Sequence, residues 1–239
     1  MENVKKVVGV IGGLGPMATV YFLEYVINLT DAKKDQDHID MVITNHATTY
    51  DRTEYIIGKS KNNPVDTLIQ DAKKLEASGA DFIVIACNTA HYFYNEIQEN
   101  VNIPIVSILE ETVEHIKSKG LNKAGILATH GTISSKIYQN ICKEKSLDYE
   151  ILDEDNQNSL MDIIYNQVKK GKKVDIKEFY NLVNSIKNRD CDCVILGCTE
   201  LSIIKNDNNL DDEFYIDSLD VLARKTIEKC GKKIRYYVQ

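Results

Sequence analysis

Phe82-Ile-Val-Ile-Ala-Cys87-Asn88-Thr89-Ala-His91 is the stretch on which the fold turns. Apolar residues run into a cysteine, and polar residues then open a helix-like segment. That is the pattern of a buried strand that delivers a thiol to its C-terminal end. The pattern returns at Cys193-Val-Ile-Leu-Gly-Cys198-Thr199-Glu200-Leu201, about one small domain further along the chain. Two similar halves, each ending a strand in cysteine and threonine, predict two thiols facing each other across a cleft.

The segments outward from this pair fit one scheme. Val7–Gly12 reads as a buried parallel strand, and Gly13-Leu-Gly15-Pro16 as a turn whose proline opens a helix to Leu29. Asp40–Asn45 is a second strand, followed by a polar loop from His46 to Lys61 long enough to suggest function. Asn63-Pro64 starts a helix that Gly79 ends; the Cys87 strand, a helix to about Glu99, a short strand at Pro104–Ser107 and a helix from Glu110 to Lys119 follow. The series restarts at Lys123–Thr129, with a helix through Lys145, a strand at 148–152, helices at 159–170 and 175–188, and the Cys198 strand. A strand at Phe214–Asp217 and a helix capped by Ser218 close the chain. Strand–helix alternation predicts an α/β fold: two similar three-layer domains with mainly parallel sheets, related by pseudo-two-fold symmetry, with the active site in the cleft between them. The first domain is expected at 1–117 plus 217–239, carrying Cys87, and the second at 118–216, carrying Cys198, with the last helix crossing back onto the first half.

A net charge of −7 argues against a nucleic-acid binder, which would show a basic face, but leaves room for a small anionic substrate in a local basic pocket. No apolar run approaches a membrane span, and the N-terminus enters a strand without the apolar core of a signal peptide. A cytoplasmic protein is expected, so the six cysteines should be reduced thiols, not a disulfide framework.

In open parallel sheets, ligands sit beyond the C-terminal strand ends. Five polar stretches fall there: Gly12–Thr19, Asn45–Thr53, Cys87–His91, Thr129–Thr132 and Gly197–Glu200. Both cysteines are expected at helix N-termini, where the partial positive charge favours a thiolate. Backbone N–H groups with Asn88, Thr89 and Thr199 could hold a carboxylate. A thiolate on one side and a thiol on the other suit inversion at carbon: one removes a proton from one face, the other returns a proton to the opposite face.

These residues resemble the aspartate/glutamate racemase family, the PLP-independent amino-acid racemases. The likeness rests on Gly12–Thr19, Asp51-Arg52-Thr53, Ala86–His91, Leu127–Thr132 and Leu196–Leu201, and covers essentially the whole chain. It implies two α/β domains, Cys87 and Cys198 as the acid/base pair, no cofactor and no metal, an acidic amino acid as substrate (aspartate before glutamate), and a homodimer. It implies substrate contacts from Met17, Arg52, Thr53, Asn88, Thr89, Thr129, Thr132, Lys169, Thr199 and Glu200. Arg52 and a lysine before Gly171 would read the distal carboxylate, Arg52 able to do so bidentately; spacing prefers Lys169, with Lys170 left open.

Other readings compete. On the same scaffold the protein could be a broad-specificity racemase, or a dicarboxylate isomerase or decarboxylase with one cysteine as nucleophile; a ligand-binding regulator without turnover is a third class. Gly13-x-Gly15-x-x-Ala18 fits a dinucleotide fingerprint, but the second strand ends in Asn45-His46 where an acidic residue is expected. Cys191-x-Cys193 lacks the paired spacing of a zinc knuckle. Cys142, Cys191, Cys193 and Cys230 read as small buried hydrophobes. His91 and His130 could tune a thiolate or make plain capping bonds, and Asp51 and Glu200 could orient site groups or cap helices.

Overall fold

The computed structural model describes residues 5–210 and 213–235. Two four-stranded parallel sheets carry the same winding. The first, with β1 (Val7–Gly12), β2 (Asp40–Asn45), β3 (Phe82–Ile85) and β4 (Ile105–Val106), runs β2-β1-β3-β4. The second, with β5 (Lys123–Leu127), β6 (Asp148–Ile151), β7 (Cys193–Leu196) and β8 (Tyr215–Asp217), runs β6-β5-β7-β8. The register aligns β1 with β2 from Val7↔Asp40 to Gly12↔Asn45, and β5 with β7 from Ala124↔Cys193 to Leu127↔Leu196.

Strands covered on both faces read as continuous apolar runs, and alternate residues serve different cores. Val8, Val10, Phe82 and Val84 enter a central cluster, whereas Ile11, Ile83 and Ile85 pack outward under a helix. In the second sheet Ala124, Ile126, Cys193 and Ile195 join the same central cluster, and Leu127, Val194 and Leu196 face the other way. The two sheets thus share one inner core. It is filled by α1 (Pro16–Leu29), α5 (Ile108–Ser118), α7 (Ile137–Glu144) and α11 (Ser218–Lys229). α3 (Val65–Ala77) and α4 (Tyr94–Gln98) cover the outer face of the first sheet; α8 (Glu154–Asp162), α9 (Ile176–Lys187) and α10 (Thr199–Asp207) cover that of the second. α11 lies against α1 and α5 of the first half. Among the described residues no helix is long and apolar enough to cross a membrane.

Local chemistry moves several expected boundaries. The His46–Lys61 loop holds a one-turn helix, α2 (Arg52–Ile56), because the Asp51 carboxylate accepts from the Glu54 N–H and caps it. Past Cys87 a 3₁₀ turn, Thr89–Phe93, precedes α4. Ser107 caps α5, which begins at Ile108, two residues ahead of the predicted start. The helix expected through Lys145 is broken into α6 (His130–Ser134) and α7 by Lys136, which adopts φ 59°, a left-handed conformation uncommon for a side chain with Cβ. The helix expected at 159–170 begins at Glu154, capped by Asp153, and finishes in a π-helical turn, Ile163–Val168. Asp217, not Ser218, caps α11: its carboxylate accepts from the Leu219 and Asp220 N–H groups.

The Gly12-Gly13 turn shows why side chains are absent there. A Cβ on Gly12 would meet the Thr19 side chain at 2.5 Å, and one on Gly13 (φ 84°) would meet the His46 backbone at 2.4 Å. The turn between β1 and α1 lies against the end of β2, and the Gly13 N–H donates to Thr19 Oγ1 at 2.9 Å. These contacts account for the glycines within the protein itself.

Candidate active site

Cys87 and Cys198 each sit two residues past the end of a third strand in equivalent positions, β3 and β7. The two cysteines line one cavity between the sheets, each 6% exposed. Leu14 from the end of β1, Asp51-Arg52-Thr53 after β2, Asn88 and Thr89, Thr129 after β5, and Thr199 and Glu200 at the start of α10 line the same space. The strand ends therefore converge as parallel sheets require. The cavity holds only about 10 Å³, about the room one water centre needs. The site is closed.

Arg52 stands on the Cys87 side. Its Nη2 donates to the Leu14 carbonyl at 2.8 Å, and Nη1 donates to the Tyr50 and Thr49 carbonyls at 3.0 and 3.4 Å. Nε–H is buried without a hydrogen-bond partner. The head-on fork expected to grip a carboxylate is thus largely spent on backbone; the side-on edge through Nε remains. Burial pulls the guanidinium pKa down, but the Cys87 sulfur, Asp51 and Tyr165 more than offset it, so the net shift is upward. The Arg52 cation and the Cys87 sulfur are thus neighbours on this side of the cavity.

Cys198 lies in the opposite field. Its thiol donates to Glu200 Oε2 at 2.9 Å. Burial and then the negative charge of Glu200 push the Cys198 pKa well above its ordinary value; Lys169 opposes this and loses. The helix N-terminus expected to favour a thiolate does not prevail at Cys198. This residue is the N-cap residue of α10, yet burial and a neighbouring carboxylate outweigh the helix dipole. Cys87 is followed by a 3₁₀ turn, not by the α-helix N-terminus expected there.

Lys169 follows the π-helical turn and reaches the cavity; its Nζ is 3.9 Å from Asp51 Oδ2, 3.8 Å from Glu200 Oε1 and 4.2 Å from the centre of the Tyr165 ring. Lys170 turns away and donates to Asn166 at 2.7 Å. The Tyr165 hydroxyl donates to Asp51 at 3.1 Å, tying the second half to the first. Four threonine hydroxyls complete the seam: Thr53 donates to Thr129 at 3.1 Å, and Thr89 bonds both Thr129 (3.0 Å) and Thr132 (2.9 Å). A Cβ on Gly131 would lie 2.9 Å from the Thr53 backbone, so the small residue lets the halves meet this closely.

Of the residues expected at the site, Thr132 stands behind the cavity wall in the hydroxyl cluster. Met17 is 56% exposed and outside the lining, because α1 buries Ala18, Thr19, Phe22 and Val26 and turns residues 17, 20 and 27 to the surface. His91 reaches the Cys87 carbonyl, not its sulfur: Nε2 accepts from the Ile108 N–H at 3.1 Å, so Nδ1–H donates to the Cys87 carbonyl at 2.9 Å. His130 pairs with Asn158. Tyr165 lines the cavity although sequence reasoning passed it over; its one signal was its place four residues before Lys169, on the same helical face. Burial pushes Cys142 and Cys193 up to about 12, as suits core thiols. Among the described residues, no group of three or more His, Cys, Asp or Glu side chains is placed to hold a metal ion.

Residues 11–226 match the family model described as Asp/Glu/Hydantoin racemase. A broad-specificity amino-acid racemase of Bacillus subtilis is 29% identical over 92% of this chain and 96% of its own length. The structure is similar to that of an aspartate racemase from Picrophilus torridus (32% identity, TM-score 0.81, 96% of each chain). It also resembles an aspartate racemase homologue from Pyrococcus horikoshii (28% identity, TM-score 0.76, 95% of this chain and all of that one).

Proposed function

The chain belongs to the Asp/Glu/Hydantoin racemase family and is an amino-acid racemase, and from that premise we propose that it inverts an acidic amino acid, aspartate before glutamate, without a cofactor, using Cys87 and Cys198 as a two-base pair. The observation that carries the proposal is the opposed polarity of the two sulfurs in one cavity: Cys87 beside the Arg52 cation, Cys198 protonated and donating to Glu200.

In one direction the Cys87 thiolate takes the α-proton, the Cα–H electron pair passes onto the carboxylate as an enediolate, and the Cys198 S–H proton is delivered to the opposite face of Cα. Cys87 ends as thiol and Cys198 as thiolate, and the reverse direction uses the same groups in exchanged states. The hydroxyls of Thr53, Thr89, Thr129 and Thr199 line the cavity and would donate to the developing enediolate. Lys169 and the side-on edge of Arg52 read the distal carboxylate, trading the contacts of Lys169 with Asp51 and Glu200 for the substrate. Exclusion of water strengthens each of these interactions.

A cavity of about 10 Å³ cannot admit an amino acid, so substrate entry requires the cleft to open. The Tyr165–Asp51 and threonine bonds are the contacts that part. We take the moving bodies to be residues 1–117 with 217–239 and residues 118–216. The resemblance also implies a homodimer, which sedimentation of the purified chain tests.

Broad specificity is the second reading, favoured because Lys169 already has two carboxylate neighbours and Arg52 already holds three carbonyls. A chiral assay over the proteinogenic amino acids separates the two. Aspartate should have the highest kcat/KM; a neutral amino acid ranking above both aspartate and glutamate overturns the acidic assignment.

A further inference from the structure

Behind the cysteines lies a buried polar chain that the mechanism above does not use. Tyr138, on the first turn of α7, is 0% exposed, and its hydroxyl donates to Asn88 Oδ1 at 2.6 Å. Asn88 Nδ2 donates to Ser218 Oγ at 3.0 Å, and Ser218 Oγ donates to the Leu196 carbonyl at 2.8 Å. Asn88 is the residue after Cys87; Leu196 is two residues before Cys198. The Tyr138 ring itself lies against Gly197, where an added Cβ would come 3.1 Å from its Cε2. One phenol therefore touches the chain just after the first cysteine and just before the second.

This matters because the described strands form two separate sheets, so no ladder of backbone hydrogen bonds fixes one sulfur relative to the other. Side chains must set that spacing. The threonine seam and the Tyr165–Asp51 bond lie on the side that opens. The chain through Tyr138, Asn88 and Ser218 is buried to 1% exposure or less and anchored at both cysteine-bearing segments. Burial raises the Tyr138 pKa, so the phenol is a donor across the working range. Lys136, left-handed at φ 59°, is the break that starts α7 two residues before Tyr138.

We propose that Tyr138, with Ser218, is a positioning residue that holds the Cys87 and Cys198 sulfurs in register across the cleft. The proposal rests on the reading of these cysteines as the acid/base pair. Inversion needs both sulfurs on one carbon, and a misplacement of about 1 Å costs on the order of 10²-fold. A one-base reaction needs only one. With 3-chloroaspartate as probe, a thiolate takes the α-proton, the Cα–H pair forms a C=C bond, and the C–Cl bond breaks to release chloride. The resulting enamine tautomerises and hydrolyses to oxaloacetate and ammonium, with no second cysteine involved.

The experiment compares aspartate inversion with chloride release from 3-chloroaspartate, for both enantiomers of each, in the wild-type chain, Tyr138→Phe and Ser218→Ala, with melting temperatures recorded. Ser218→Ala leaves the Asp217 cap of α11 in place, so it reports even where Tyr138→Phe fails to fold. The expected result is a fall in kcat for inversion on the order of tenfold to a hundredfold, at nearly constant KM, with elimination retained within about threefold. Parallel loss of both reactions, or no loss of either, in a folded variant overturns the positioning role. Inversion that survives Cys87→Ala or Cys198→Ala, or a wild-type chain inert to aspartate, overturns instead the reading beneath it.

Discussion

His91 offers a quantitative handle on how the Cys87 segment is held. The imidazole is buried, with Nδ1–H on the Cys87 carbonyl and Nε2 on the Ile108 N–H. Burial lowers its pKa from 6.5 to about 4, and its backbone hydrogen bonds only partly oppose this. In the unfolded chain the same group titrates near 6.5, so between pH 6.5 and 4 the unfolded state binds the extra proton. Stability must then fall as pH drops through that window, by about 1.4 kcal/mol per pH unit and about 3 kcal/mol in all. Above pH 6.5 the group contributes no slope. The assay is urea denaturation at intervals from pH 7.5 to 4.5 for the wild-type chain and for His91→Gln. The variant loses about 1–3 kcal/mol at neutral pH, because two buried backbone groups lose a well-placed partner. Its stability should fall less steeply than that of the wild type over this window, so the two curves converge on acidification. The paired carboxylates Glu150, Asp153 and Asp192 titrate in both proteins and cancel in the difference. A wild-type-minus-variant difference that is the same at pH 7.5 and pH 4.5 refutes the neutral, doubly bonded His91.

Glu200→Gln removes the charge that helps keep Cys198 protonated. Its thiolate becomes less disfavoured and its pKa falls, so the alkaline limb of kcat, where Cys198 must act as acid, should move to lower pH; an unmoved limb contradicts the assignment. Lys169→Met should lower kcat/KM for aspartate by about 10- to 100-fold, the worth of one charged hydrogen bond, and lower it far less for alanine. Lys170→Met, whose amine sits on Asn166 outside the cavity, should leave both unchanged in the same chiral assay.

The duplicated winding was legible because both Cys-bearing strands are buried on both faces, which forces the unbroken apolar runs at 82–86 and 193–196. Ten of the twelve expected site residues line the cavity because a strand end fixes where its next few residues go, whatever the intervening helices do. The failures lie where a side chain decides. Met17 belongs to the right turn but falls on the outer face of α1, a matter of helical phase. The polarity of Cys198 depends on Glu200 folding back on it, which no spacing announces. Tyr165 and Tyr138 look like ordinary helix aromatics in sequence; only the packing of the two halves places one hydroxyl on Asp51 and the other on Asn88. Lys136 and the π turn at Ile163–Val168 break or stretch helices that periodicity alone would continue.

Action of two sulfurs on opposite faces of one carbon is tested most directly by incubating each enantiomer of aspartate in deuterated water, with circular dichroism for inversion and proton NMR for the α-position. The account predicts racemate carrying α-deuterium from either enantiomer, with inversion lost in both Cys87→Ala and Cys198→Ala. Inversion that persists in either variant, or that proceeds with the α-proton fully retained at low conversion in both directions, would contradict it.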